Sequence, residues 1–248
     1  MLVLLPPSET KRDGGEAGRS LDLTALRHPQ LTAQRSAAVS ALTALSRDVV
    51  ASTAALGLGP TQGFEIERNN ALESSPVMPA IDRYTGVLYD GIDTVSLTAE
   101  QRAWVVRHVV VNSALFGLLG AGDEIPAYRL SHDSRLPGLP LKKLWRAANA
   151  EVLAATPGVI LDLRSESYAA LGPLPGHDDA HYLRVVTQTA TGQKKALTHF
   201  NKKGKGVFVR QLAQAGRDHE SVESLLEWAA TSGVRLDRGK PGELELTV

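Results

Sequence analysis

The chain has 248 residues, with 27 basic and 27 acidic side chains and no cysteine. The missing thiols exclude disulfides, thiolate metal sites and cysteine nucleophiles. No apolar run approaches the ~18–20 residues of a membrane span, so no membrane partner and a cytoplasmic location are expected.

In chain order, residues 1–5 predict a short buried strand that Pro6 and Pro7 end, too brief for a signal-peptide core. Ser8-Glu-Thr-Lys11 follows where a loop leaves a strand end, which suits ligand contacts or a plain polar turn. Residues 12–18 read as a mobile, glycine-rich surface loop. Ala38, Leu42, Leu45 and Val49 recur every three or four positions, predicting one amphipathic helix that begins near Leu31 and ends at Gly57, Gly59 and Pro60. Residues 63–75 are polar with no clean period. Residues 81–92 gather Arg83, Tyr84, Tyr89 and Asp90 around Gly86 and Gly91, a mixture that fits a loop lining a cleft.

Thr98-Ala-Glu-Gln101 matches a capping box and opens a helix through Trp104 towards His108. Val109-Val-Val111 predicts a buried strand after it. Residues 113–122 allow two readings: a helix ended by a left-handed glycine cap, or the phosphate-holding hairpin of a helix–hairpin–helix module. Residues 123–130 predict a turn and a short strand carrying Tyr128 and Arg129. Residues 140–155 predict a helix with Trp145, stopped by Pro157 and Gly158. Residues 159–163 predict a strand that turns into a helix with Ser165 or Ser167 as its N-cap. That corner, with Glu166, is either an anion site or only a cap. His177-Asp-Asp-Ala-His181 has metal-like spacing, but Pro173, Pro175 and Gly176 make it a loop. Residues 181–189 and 195–200 predict a hairpin around Thr191 and Gly192. Residues 203–215 and 221–229 predict helices, and residues 233–237 and 243–247 a closing hairpin.

The strongest charge anomaly lies between Asp179 and Asp218, where no acidic residue occurs. Arg184, Lys194, Lys195, Lys202, Lys203, Lys205, Arg210 and Arg217 all fall in that window. Such polarisation focuses positive potential on anionic ligands, or else forms a solvated basic face. Phe200, Phe208 and two glycines interleave with the cations, so backbone N–H groups gain close approach to a ligand. No G-x-G-x-x-G, P-loop or G-x-S-x-G motif occurs. The expected class is α+β, a single domain (1–248) with a mixed β-sheet flanked by helices, and not a nucleotide-binding doubly wound fold.

The order of segments resembles the YaaA peroxide-stress family. An opening strand followed by S-P-A-K-T is similar to Leu4-Leu-Pro-Pro-Ser-Glu-Thr10, Y-x-G-L to Tyr89-Asp-Gly-Ile92, and L-S-G-L-Y-G to Asn112-Ser-Ala-Leu-Phe-Gly117. P-Y-R-L resembles Pro126-Ala-Tyr-Arg-Leu130, F-W the pair Leu144-Trp145, and L-A-S-x-E-Y the stretch Leu163-Arg-Ser-Glu-Ser-Tyr168. A-K-K-A-R-G-x-M-x-R resembles Asn201-Lys-Lys-Gly-Lys-Gly-Val-Phe-Val-Arg210. Three departures mark a divergent branch: Glu9 replaces the family lysine although Lys11 follows, Ser131-His-Asp133 replaces E-M-G, and Lys205-Gly206 replaces R-G.

The resemblance implies a YaaA-like α+β fold and a cytosolic protein that limits iron-dependent oxidative damage under hydrogen peroxide stress. It also implies a positive cleft that binds duplex or distorted DNA. With no cysteine or haem motif, no cofactor and no direct destruction of peroxide are expected. In the DNA reading, Lys202, Lys203, Lys205 and Arg210 neutralise phosphates, while Tyr84, Tyr89 or Tyr128 stacks on a base. Ser8, Lys11, Arg83, Arg129, Ser165, Tyr168 and Asn201 complete the anion-binding candidates. The competing reading is an enzyme acting on a nucleobase or nucleoside, with Glu9 or Glu166 as general acid or base, Asp90 as partner, and Lys203 or Arg129 holding an anion. A third is iron sequestration by His177, Asp178, Asp179 and His181. The readings separate on whether residues 8–11, 84–90, 128–129, 165–168 and 201–210 meet around one cleft.

Overall fold

Four consecutive apolar residues form β1 (Leu2–Leu5), a strand buried along its whole length at the heart of the main sheet. The computed structural model describes residues 1–188, 194–196 and 201–248. The other strands are β2 (Met78–Pro79), β3 (Val109–Ser113), β4 (Gly117–Gly120), β5 (Glu124–Ile125), β6 (Ile160–Asp162), β7 (Ala180–Gln188), β8 (Lys194–Ala196), β9 (Leu236–Arg238) and β10 (Glu243–Thr247). The helices are α1 (Thr32–Leu45), α2 (Val49–Leu56), α3 (Phe64–Asn70), α4 (Ala80–Arg83), α5 (Val87–Ile92), α6 (Ala99–His108), α7 (Leu141–Ala154), α8 (Glu166–Ala169), α9 (Asn201–Ala215) and α10 (Val222–Thr231).

The main sheet runs β4-β3-β1-β6-β7-β10-β9, with β8 added alongside β7, while β2 and β5 pair separately. β1 lies parallel to β3 and β6, β6 to β7, and β7 to β10, whereas β4 and β9 are antiparallel edges. The sheet is mixed and the class is α+β, as the segment order predicts. In order of appearance the five parallel strands run 2-1-3-4-5, which places a topological switch point at the carboxyl ends of β1 and β6. No glycine fingerprint announces it, because the turn after β1 is Pro6-Pro-Ser8.

Several local expectations change. The single helix predicted from Leu31 is two, because Asp48 Oδ1 accepts the Ala51 N–H at 3.0 Å and starts α2 afresh. The unpatterned stretch 63–75 contains α3, whose buried positions include Glu65 and Asn69, so no apolar stripe marks it. Residues 81–92 are mostly helical, in α4 and α5 on either side of Gly86. Both readings of residues 113–122 give way to β4, paired antiparallel to β3. Gly117 makes the turn at φ 66°, and a Cβ there would lie 2.6 Å from the Trp145 ring.

The loop at residues 12–18 is tied down. The buried Arg83 guanidinium donates to the carbonyls of Arg12, Gly14, Pro76 and Ile125, the last at 3.0 Å. β7 and β8 pair antiparallel as the arms of the predicted hairpin. Its turn at Thr191 and Gly192, and residues 197–200 with Phe200, lie outside the described residues. One hydrophobic cluster joins β1 to Trp104, Trp145, Phe208 and Trp228. Among the described residues no helix is long and apolar enough to cross a membrane.

Candidate functional site

The polypeptide leaving β1 turns at Pro6 and Pro7 and then runs antiparallel to the end of α4. Lys11 bridges Tyr84, and the Arg12 N–H donates to the Arg83 carbonyl at 2.9 Å. The Thr85 N–H donates to Ser8 Oγ at 3.1 Å, which pins the turn. This pairing draws the Lys11 side chain inward, leaving the residue 6% exposed. Its Nζ donates to the Ser8 and Glu9 carbonyls at 3.0 and 3.1 Å, and lies 4.1 Å from the Tyr128 ring centroid and 5.6 Å from that of Tyr84. Burial lowers the amine from the ordinary lysine range to about 7, with Glu65 opposing the shift and Arg129 adding to it. The departure at position 9 therefore still leaves a lysine at this turn, folded back onto it.

Ser113, the last residue of β3, supplies the second part. Its Oγ accepts the N–H groups of Leu115 and Phe116 at 3.0 and 3.1 Å and lies 2.7 Å from the Tyr128 hydroxyl, which lies 2.7 Å from the Tyr84 hydroxyl. With two N–H groups on Ser113 Oγ, the hydroxyls of Ser113, Tyr128 and Tyr84 form one continuous hydrogen-bonded chain. Burial raises the Tyr84, Tyr89 and Tyr128 phenols far above their usual range, so all three stay neutral. Tyr89 donates to the Pro6 carbonyl at 2.8 Å and its ring centroid lies 5.5 Å from that of Tyr84. Tyr168 is buried against His132, and its phenol is raised by burial and by the charges of Asp133 and Glu9.

At the end of β6 the carboxylate of Asp162 is clamped by Arg164, whose Nε and Nη2 lie 2.8 and 2.6 Å from its two oxygens. Arg164 also reaches Asn112 on β3 and the Gly172 carbonyl, so it ties β6 to the strand on the far side of β1. Lys205 from α9 enters the same region and donates to the Leu163 carbonyl at 3.0 Å, with Nζ 5.3 Å from the Tyr182 ring centroid. Burial lowers it to about 8, against the pull of Asp162. The approach is possible because Gly206 lies directly on the backbone of α5, where a Cβ would collide with the Leu88 carbonyl oxygen.

The structure therefore brings Ser8, Glu9, Lys11, Tyr84, Tyr89, Tyr128, Arg129 and Tyr168 together beside the switch point, with Lys205 across from them at β6. Base stacking by Tyr84, Tyr89 or Tyr128 is overturned, since all three rings are buried against one another or the core. Arg83 binds loop carbonyls and Arg210 the Ile92 and Asp93 carbonyls, so both act as clamps on the backbone. Lys205 points into the protein and away from any phosphate. Lys202 and Lys203 are exposed on the first turn of α9, and Asn201 beside them keeps a buried Oδ1 that meets no partner among the described residues. Ser165 is the N-cap of α8 by position but makes no side-chain cap bond.

The three proposed acids stand in different surroundings. Glu9 pairs with Arg129 at 3.0 Å, Glu166 with Arg184 at 2.9 Å, and Asp90 is exposed on α5. The iron ligands proposed at residues 177–181 serve the backbone: Asp179 Oδ1 accepts the Val222 N–H and His181 Nε2 lies 2.7 Å from the Asp178 carbonyl. No group of three metal-ligating side chains occurs among the described residues. Sequence reasoning missed Ser113, Asn112, Asp162 and Glu65. Asn112 and Ser113 left a signal as the opening of the Asn112–Gly117 box, and Glu65 one as a Glu65-x-x-Arg68 pair at helical spacing whose side chains meet at 3.0 Å.

Fold and site define an α+β protein with a buried lysine–tyrosine cluster at the strand ends of a mixed sheet with a parallel core. A model of the family described as peroxide stress protein YaaA matches residues 1–237. The chain is similar to UPF0246 proteins of Corynebacterium efficiens, at 39% identity over 100% of both chains, and of Streptomyces coelicolor, at 38% identity over 100% of this chain and 98% of the relative. A further UPF0246 protein, from Corynebacterium glutamicum, is 37% identical over 100% of this chain and 99% of its own. The chain belongs to the YaaA peroxide-stress family.

Proposed function

We propose that the chain limits iron-dependent oxidative damage under peroxide stress by binding DNA through phosphate contacts at the first turn of α9. The observation that supports this reading is the exposure of Lys202 and Lys203 within a run of residues, 180–217, that holds no acid. Phosphate contacts give affinity without sequence readout, which fits a general protective role and needs no base stacking. Binding to duplex or bubble DNA is expected to weaken steeply with salt, and the log–log slope to fall by about one for each lysine removed. A salt-independent affinity, or one unchanged by Lys202→Glu with Lys203→Glu, defeats the proposal.

The Lys11 cluster favours a second reading, an enzyme acting on a nucleobase or nucleoside. An amine that burial brings to about 7, beside a chain of hydroxyls at a switch point, is a proton-transfer device in the place where doubly wound sheets bind ligands. In this reading the proton-transfer role passes from Glu9, Glu166 and Asp90 to Lys11 and Tyr84, and Arg129 rather than Lys203 holds an anionic group. An NMR titration of ¹⁵N-lysine should show Lys11 losing its proton near neutrality. An ammonium that persists above pH 9 removes this reading.

A further inference from the structure

Arg129 is a buried cation with an exposed partner. Its side chain is only 10% exposed, yet the carboxylate on it, Glu9 Oε2 at 3.0 Å from Nη2, belongs to a side chain that is 69% exposed. An exposed acid touching a buried guanidinium marks a mouth open to solvent. The Arg129 backbone is fixed, because fully buried Asn69 accepts its N–H at 2.8 Å and donates to its carbonyl at 3.0 Å. Its Nε is also buried and meets no acceptor among the described residues, so the fork presents more donor capacity than Glu9 uses.

Arg68 is matched by Asp13 and Glu65, while Arg129 feels the charge of Asp133 and is paired with Glu9. If Glu9 swung away, the Arg129 fork would lose its paired acceptor in a poorly solvated place, where one further carboxylate restores it. Exposed partners of this kind contribute little to stability and are readily exchanged.

We propose that the Arg129 guanidinium is a seat for the carboxylate of a small-molecule ligand, and that Glu9 is the resident competitor that occupies it in the ligand-free chain. The proposal deepens the small-ligand reading of the Lys11 cluster and rests on it. A ligand so anchored would extend along Tyr168, whose phenol already senses the Glu9 charge, towards Lys11. A singly charged carboxylate fits better than a phosphate dianion, because it replaces the one charge and the one carboxylate that leave with Glu9.

The test is rescue of full-length Glu9→Ala by acetate, read as the thermal midpoint at fixed ionic strength with chloride as the balancing anion. Acetate is expected to raise the midpoint of Glu9→Ala at a concentration at least tenfold below any effect on the wild type, and Arg129→Met in the same background should remove the response. An equal response in wild type and Glu9→Ala, or one that survives Arg129→Met, overturns the seat. Phosphate acting more strongly than acetate overturns the carboxylate class. Should the double variant fail to fold, saturation-transfer NMR to the acetate methyl in Glu9→Ala reads the seat directly, and transfer no stronger than in wild type overturns it. Neither the DNA salt slope nor the Lys11 titration depends on these outcomes, so each reading fails separately.

Discussion

Two groups of cations in this molecule are treated in opposite ways. α9 concentrates them in sequence, and the fold disperses them: Lys202 and Lys203 face solvent, Lys205 turns inward to β6, and Arg210 clamps the end of α5. The cluster at β1 does the reverse. Lys11, Tyr84, Ser113, Tyr128, Arg129 and Tyr168 are spread over more than half the chain, yet they lie in one buried polar cluster. Local density of charge therefore does not decide which cations stay in solvent, and convergence of strand ends decides where polar groups are buried. The first effect acts through solvent and is screened by salt, whereas the second acts through desolvation and is not.

The largest effect that would separate the two regions lies at the strand-end cluster. Arg164→Leu leaves Asp162 as an uncompensated buried charge and is expected to cost about 3–5 kcal/mol in chemical denaturation. Next comes pH. Lys11 has a folded-state value near 7 against an unfolded value near 10.5, so between these limits the unfolded chain holds the extra proton. Stability therefore rises with pH across that window, by about 1.4 kcal/mol per pH unit where the difference is a full proton. Below pH 7 the folded state carries the buried charge and this contribution is absent. Lys11→Met should flatten the slope by that amount, while Lys203→Met should leave it unchanged.

Smaller effects sharpen the contrast. Tyr128→Phe removes the hydroxyl that joins Ser113 to Tyr84 and leaves both without that partner, for an expected loss of about 1–3 kcal/mol in the unfolding free energy. At the α9 rim, Lys202→Ala and Lys203→Ala should each stay within about 0.5 kcal/mol of wild type in stability. Under the proposed DNA reading their effect belongs instead in the salt dependence of binding, about one slope unit each. A rim lysine that destabilised the fold as much as Tyr128→Phe would erase the distinction.

Elements with a strong local cause were legible in the sequence. The Thr98–Gln101 capping box forms as read, with Thr98 Oγ1 accepting the Gln101 N–H at 3.3 Å, and β1, β3, β6, α7, α10 and the closing hairpin fall near their expected places. The misreadings have a shared origin. α3 buries polar residues, so hydrophobic periodicity could not reveal it. β4 is rich in glycine and leucine and has little strand propensity of its own, and it becomes a strand because β3 offers it an edge and Gly117 permits the turn. Of the site, the tyrosines, Lys11 and Arg129 were found as candidates for contact with a ligand, but their burial was not. Arg83 and Arg210 looked like anion ligands because a sequence does not distinguish a guanidinium that meets a phosphate from one that meets a carbonyl.

The sequence by itself determined the α+β class, most of the elements, the family likeness and the acid-free basic run. These follow from short-range periodicity, capping and composition, which each segment carries whatever its neighbours do. Only the tertiary structure decided that the parallel strands run 2-1-3-4-5, that three strand ends meet there, and that Lys11 is buried on Tyr128 while Lys202 stays in water. The strength of a charge depends on how much solvent is removed around it, and that is fixed by segments distant in sequence.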